Sequence, residues 1–175
     1  MPRLPKIPLS AAVVLLFLIS SCQDRPQFED TPYLEWRDYE YEVNPDDNTS
    51  KVIMTMYFTD GDGDVGRDES VYDCEDQYEL FIEDFDIFIR YYEKVGGTFE
   101  EVFPVDSCLP FHNYLPDLTP KGQNKTLEGE IELRFNFTGL PQNGGVDSVR
   151  FELQLQDRAG NRSNLVNSPS VFIRE

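Results

Sequence analysis

The chain of 175 residues carries 33 acidic and 15 basic side chains with one histidine, a formal net charge of −18, and it is 39% hydrophobic and 13% aromatic. A surface this acidic repels phosphate backbones, which excludes nucleic acid as a partner, while the apolar and aromatic content is too high for a disordered chain. The length suits one globular domain with one core.

The first element is a leader over residues 1–21. It holds Arg3 and Lys6 and no acid, so its removal takes the net charge from −18 to −20. Residues 11–19 (AAVVLLFLI) form an unbroken apolar run. That run is shorter than the ~20 residues a membrane-spanning helix needs, and it suits the apolar part of an export signal. The run ends in Ile19-Ser20-Ser21-Cys22. This ending resembles the bacterial lipobox, an aliphatic residue three before a cysteine with small residues between. The resemblance implies that Cys22 is the lipidated first residue of the mature protein, with a diacylglycerol on its thiol and a third chain on its amine. It also implies attachment to the outer membrane, on the periplasmic or the cell-surface face. Three chains exceed the two signals that stable anchoring requires. An ordinary cleaved secretory signal with an incidental cysteine is the alternative. Residues 22–33 are polar, contain two prolines and show no periodicity, which reads as a flexible tether. Residues 34–175 remain for a single domain.

Along that domain the hydrophobic period is two. A first strand is predicted near residues 36–43, closed by the turn signal Asn44-Pro45-Asp46-Asp47. Val52, Met54, Met56 and Phe58 then alternate with Ile53, Thr55, Tyr57 and Thr59. Both faces are apolar enough for a central strand. Phe85, Ile87, Ile89 and Tyr91 alternate with Asp86, Phe88, Arg90 and Tyr92, after which Gly96-Gly97 turns the chain and residues 98–103 return antiparallel. Ile131, Leu133, Phe135 and Phe137 alternate with polar neighbours, as do Val149, Phe151, Leu153 and Leu155. These are apolar-in, polar-out ladders of an antiparallel sheet with one wet face. Turn signals at 139–145 and 158–161, and a last strand near 166–173, bring the count to seven or eight. The prediction is an all-β fold, an antiparallel β-sandwich. Segments 60–80 and 104–127 are long for sandwich loops, and loops of that length are often functional.

The closing segment Asp157-Arg158-Ala159-Gly160-Asn161-Arg162-Ser163 resembles the D-x-A-G-N-x-S hairpin that joins the last two strands of bacterial immunoglobulin-like or fibronectin-like domains. Gly160 and Asn161 are expected there at positive φ. Together with the lipobox, the FTDGDGDVG stretch at 58–66 and the LTPKGQNKTLEGEI stretch at 118–131, it makes the chain similar to a group of Bacteroidota lipoproteins of unknown function. The resemblance implies a location and an immunoglobulin-like architecture, and no particular chemistry.

Three groups of residues are candidate sites. Asp60, Asp62 and Asp64 alternate with Gly61 and Gly63. Carboxylates at that spacing on a glycine-permitted loop can converge on one hard cation, and Ca²⁺ takes six to eight oxygens. An EF-hand is rejected, because Val65 and Val71 stand at its sixth and twelfth positions. A simpler Ca²⁺ site is expected, completed by Asp68, Glu69 or Asp157; a solvated acidic hairpin tip is the alternative. Cys74 and Cys108 are even in number in an exported chain, which predicts a disulfide. It would close a loop of about 35 residues, staple the two long loops together and contribute ~3–4 kcal/mol; two free buried thiols are the alternative. On the strand after Phe85, the residues Phe88, Arg90 and Tyr92 face away from the core. With Tyr72, Tyr78, Phe111 and Tyr114 in the long loops they could form a platform for sugar rings or peptides, or a second small core under those loops.

Catalysis is not expected. His112 is the only histidine, so no His cluster for zinc can form, and no G-x-S-x-G elbow is present. The sequence therefore reads as a non-catalytic binding or envelope-assembly module, with the membrane, another envelope protein or a glycan as partner. The alternative is a carbohydrate-binding accessory lipoprotein of a glycan-uptake system.

Overall fold

The alternating pattern folds into eight strands among the described residues, with no helix. The structure is a computed structural model and describes residues 27–67, 85–103, 111, 113–138 and 145–173. The leader, Cys22, Asp68, Glu69, Tyr72, Cys74, Tyr78, Cys108 and His112 lie outside the described residues. The strands are β1 (Tyr33–Asn44), β2 (Thr49–Asp60), β3 (Ile87–Val95), β4 (Thr98–Val102), β5 (Leu127–Thr138), β6 (Ser148–Leu155), β7 (Val166–Asn167) and β8 (Val171–Phe172). One antiparallel sheet runs β1-β2-β5; the other runs β4-β3-β6-β7, with β8 also on β6. The order is that of an immunoglobulin-like sandwich, A-B-E against C′-C-F-G.

The period of two decides which side chains meet between the sheets. Val52, Met54, Met56 and Phe58 of β2 and Val149, Phe151, Leu153 and Leu155 of β6 are all buried. Ile131 and Leu133 of β5 and Ile87, Ile89 and Tyr91 of β3 complete the layer. Each such side chain contributes roughly 1.5–3 kcal/mol by leaving water. On β1 the parity changes: the register slips between Trp36 and Asp38, so Leu34 and Trp36 face inward before Arg37, and Tyr39 and Tyr41 after it. The extra residue of this β-bulge matches the two polar residues that separate Trp36 from Tyr39. Toward one end the core is aromatic, with Tyr91 stacked on Phe135 at 4.9 Å and Phe151 edge-on to Phe135 at 5.0 Å.

Turn chemistry sets the connections. Gly96 and Gly97 both have positive φ, 59° and 92°, and Val95 pairs with Thr98, a two-residue hairpin of the type that suits the sheet's twist. The single last strand expected near 166–173 is in fact two short pieces. Pro169 lies between them and has no N–H for a ladder. Ser168 covers the gap: its amide donates to the Phe151 carbonyl at 2.8 Å, and its hydroxyl accepts from the Phe151 amide at 2.9 Å. In the 157–163 turn Gly160 has φ 86° as expected, but Asn161 is not at positive φ.

Tyr33 of β1 lies opposite Thr59, Asp60 of β2 opposite Leu127, and Ile87 of β3 opposite Leu155. The ends of β2 and β6 therefore sit at the same end of the sandwich as the starts of β1, β3 and β5. Val65 bridges to Asp157 there, and the Gly61 amide donates to the Glu29 carbonyl at 2.8 Å. Loop 61–67, segment 113–126, the 157–163 turn and the incoming chain at 27–32 meet at this end.

Candidate metal centre

Asp60 is the last residue of β2 and continues the inward series Val52, Met54, Met56, Phe58. Asp157 follows β6 and continues Val149, Phe151, Leu153, Leu155. Both core ladders thus end in a carboxylate that points between the sheets, and both aspartates are fully buried. The loop after β2 brings a third, the half-buried Asp64. One carboxylate oxygen from each of Asp60, Asp64 and Asp157 lies within 4.8 Å of the other two.

The hydrogen bonds of the three are incomplete. Asp60 Oδ2 accepts from the Asp64 amide at 3.1 Å, and Asp64 Oδ2 accepts from the Ala159 amide at 3.1 Å. Asp157 accepts from the Asn161 amide at 2.7 Å on one oxygen and from Asn161 Nδ2 at 2.8 Å on the other. Asp60 Oδ1 and Asp64 Oδ1 are buried with no hydrogen-bond donor. Buried polar atoms of that kind are rare in folded proteins, and each costs about 1–3 kcal/mol. Burial, and then the charges of Asp62 and Asp64, push the Asp60 carboxyl up to about 6. Burial and the charges of Asp157 and Asp62 likewise push Asp64 up. The arrangement concentrates negative charge in a buried place and leaves two carboxylate oxygens without a protein donor.

The surrounding backbone holds this geometry tightly. Gly63 has φ 68°, and a Cβ there would lie 1.8 Å from the Lys125 carbonyl oxygen. Arg158 ties the loop to segment 113–126: Nη1 donates to the Gly66 carbonyl at 2.6 Å and to Asp117 Oδ1 at 2.8 Å, and Nη2 donates to Thr119 Oγ1 at 2.6 Å. The hydroxyl and amide of Thr119, with Arg158, hold the Asp117 carboxyl well below the ordinary carboxylate range. Arg67 Nε donates to the buried Asp86 at 2.9 Å, and the Leu115 amide donates to its other oxygen at 2.8 Å.

Of the residues expected to bind a cation, the structure brings together Asp60, Asp64 and Asp157. Asp62 is exposed and is not one of the three; its charge acts on them from outside. Phe88, Arg90 and Tyr92 lie on the outward face of β3, as their alternation predicts, but the rings are not bare. The Arg162 guanidinium stands over Phe88 at 4.2 Å, and that of Arg150 lies at 5.1 Å from Tyr92 and 4.9 Å from Phe99. Arg90 pairs with Glu152 at 2.9 Å and Glu101 at 3.8 Å. Phe111 packs on Tyr91 and Phe135 at 5.6 and 5.0 Å, and Tyr114 packs on Phe85 at 5.1 Å. Sequence reasoning missed Asn161, which orients Asp157, and the arginines that cover the outer rings. For Asp60 and Asp157 the signal was present: each sits at an inward position of a strand whose other inward residues are apolar.

Comparison of the chain with protein-family models, with curated proteins and with solved structures finds no match.

Proposed function

We propose that the chain is a lipid-anchored lipoprotein of the cell envelope, acting as a non-catalytic binding or assembly module. The observation that carries this reading is the leader, whose apolar run ends in Ile19-Ser20-Ser21-Cys22. An anchor at Cys22 is compatible with the fold, because the described chain enters the sandwich at the loop end. Glu29 is docked on Gly61, and the seven residues back to Cys22 span at most about 25 Å. An anchor at Cys22 therefore keeps the Asp60–Asp64–Asp157 end close to the lipid headgroups and leaves the far end, near Phe172, for a partner. Export also favours oxidation of Cys74 with Cys108, which peptide mapping of unreduced protein detects as one linked pair. The test of the anchor is Cys22→Ala: palmitate labelling and recovery in the membrane fraction are lost. A variant that stays acylated and membrane-bound refutes the reading.

A second reading, a carbohydrate-binding accessory lipoprotein of a glycan-uptake system, is favoured by the outward row Phe88, Arg90, Tyr92 with Arg150 and Arg162 beside it. Aromatic rings with polar side chains beside them are what sugar rings stack on. A glycan array distinguishes the two: binding that is lost in Tyr92→Ala supports the second reading, and an array without hits rejects it.

A further inference from the structure

We propose that Asp60, Asp64 and Asp157 hold one Ca²⁺ ion that clamps the two sheets together at the loop end. The proposal stands apart from the anchoring of Cys22 and is tested separately. It rests on two independent observations. First, three carboxylate oxygens, two from the end of β2 and its following loop and one from the residue after β6, lie within 4.8 Å of one another, close enough to share one ion at the 2.3–2.6 Å typical of calcium ligands. Second, Asp60 is fully buried, yet its Oδ1 has no donor, and Asp64 Oδ1 is buried without one as well. A solvated acidic hairpin tip would expose its oxygens to water. Here Asp60 Oδ1 and Asp64 Oδ1 are buried without a protein donor, and a cation or a proton would compensate them.

The placement gives the ion a structural consequence. Asp60 closes β2 in the three-stranded sheet and Asp157 follows β6 in the five-stranded sheet. These are the two central strands that antibody domains join by a disulfide across the same sandwich. The ion would make that connection at the strand ends, and Asp64 would bring in the loop that receives Glu29. Ca²⁺ suits the set better than Mg²⁺, because donors from an irregular loop and two strand ends need not meet an octahedral demand, and backbone oxygens and water can complete the shell. Asp62 is not a ligand.

The experiment uses the purified full-length protein in detergent, stripped of metal. Calorimetric titration with Ca²⁺ should show one ion per chain, and millimolar Ca²⁺ should raise the unfolding midpoint by several degrees above that in EDTA, with a smaller rise in Mg²⁺. Asp60→Asn and Asp157→Asn should lose the saturable binding and the rise, whereas Asp62→Asn should keep both. Should Asp157→Asn fail to fold, Asp64→Asn takes its place, and the stoichiometry of the wild type is read in any case. Absence of saturable binding to the wild type overturns the proposal. So does a Ca²⁺ response equal in wild type and Asp60→Asn, which is diffuse screening, or a loss in Asp62→Asn as large as in Asp60→Asn. Equal rises in Ca²⁺ and Mg²⁺ overturn the choice of ion.

Discussion

Replacing Asp60 by asparagine should stabilise the protein when divalent cations are absent. Burial and like charges move the Asp60 carboxyl from 3.8 to about 6 in the folded state. The folded value is raised above the unfolded one, so the group is best tolerated protonated. Wild-type stability in EDTA is therefore full below about pH 4 and falls as the pH rises through about 6. The loss amounts to about 3 kcal/mol once Asp60 is fully ionised. Asparagine has nearly the same shape and never ionises, so at neutral pH the variant should be more stable by up to that amount. For a domain of this size the difference corresponds to a midpoint about 6–12 °C higher. The assay is thermal unfolding followed by circular dichroism in EDTA, from about pH 4 to 8, for wild type and Asp60→Asn. The two curves should converge toward about pH 4, separate between about pH 4 and 6 and keep a constant gap above that, and saturating Ca²⁺ should reverse their order. A variant less stable than wild type at neutral pH in EDTA, or a gap that does not change with pH, would refute the reasoning.

Three further outcomes follow from the packing. Gly63→Ala should destabilise far more than Gly160→Ala in urea unfolding. Both have positive φ, worth about 1–2 kcal/mol for an L side chain, but only at Gly63 would the methyl strike backbone, 1.8 Å from the Lys125 carbonyl oxygen; nothing lies within 4 Å at Gly160. Phe151→Ala, at a position with no exposure between Tyr91 and Phe135, should cost about 3–5 kcal/mol by the same measurement. Asn164→Ala should cost about 1–3 kcal/mol and promote self-association in light scattering. The Asn164 side chain accepts from the Leu34 amide at 2.9 Å and donates to the Leu34 carbonyl at 2.8 Å, and without it the Leu34 amide and carbonyl on the edge strand β1 are free to pair with another chain.

The long ladders were legible in the sequence because a half-buried strand writes its burial as a period of two. Val52 to Phe58, Ile131 to Phe137 and Val149 to Leu155 could be read as strands, and with their turn signals they implied two facing antiparallel sheets. Local chemistry was legible too: Gly96-Gly97 demands a tight hairpin wherever it occurs. Two features were not legible and a third only in part, because each depends on partners remote in the chain. The bulge at Arg37 is a register relation between β1 and β2. The division of the last strand around Pro169 depends on Ser168 meeting the backbone of Phe151. The aspartates show the limit most clearly. The D-G-D-G-D spacing suggested Asp60, Asp62 and Asp64 as one set, with Asp157 as one of several acids that could complete it, since a sequence cannot choose among remote partners. Folding replaces Asp62 with Asp157, 97 positions after Asp60 in the chain, because the two core ladders end side by side and the loop turns Asp62 out to water. Which residues carry negative charge was settled by the sequence; which of those charges must share one buried space was settled only when the two sheets closed on each other.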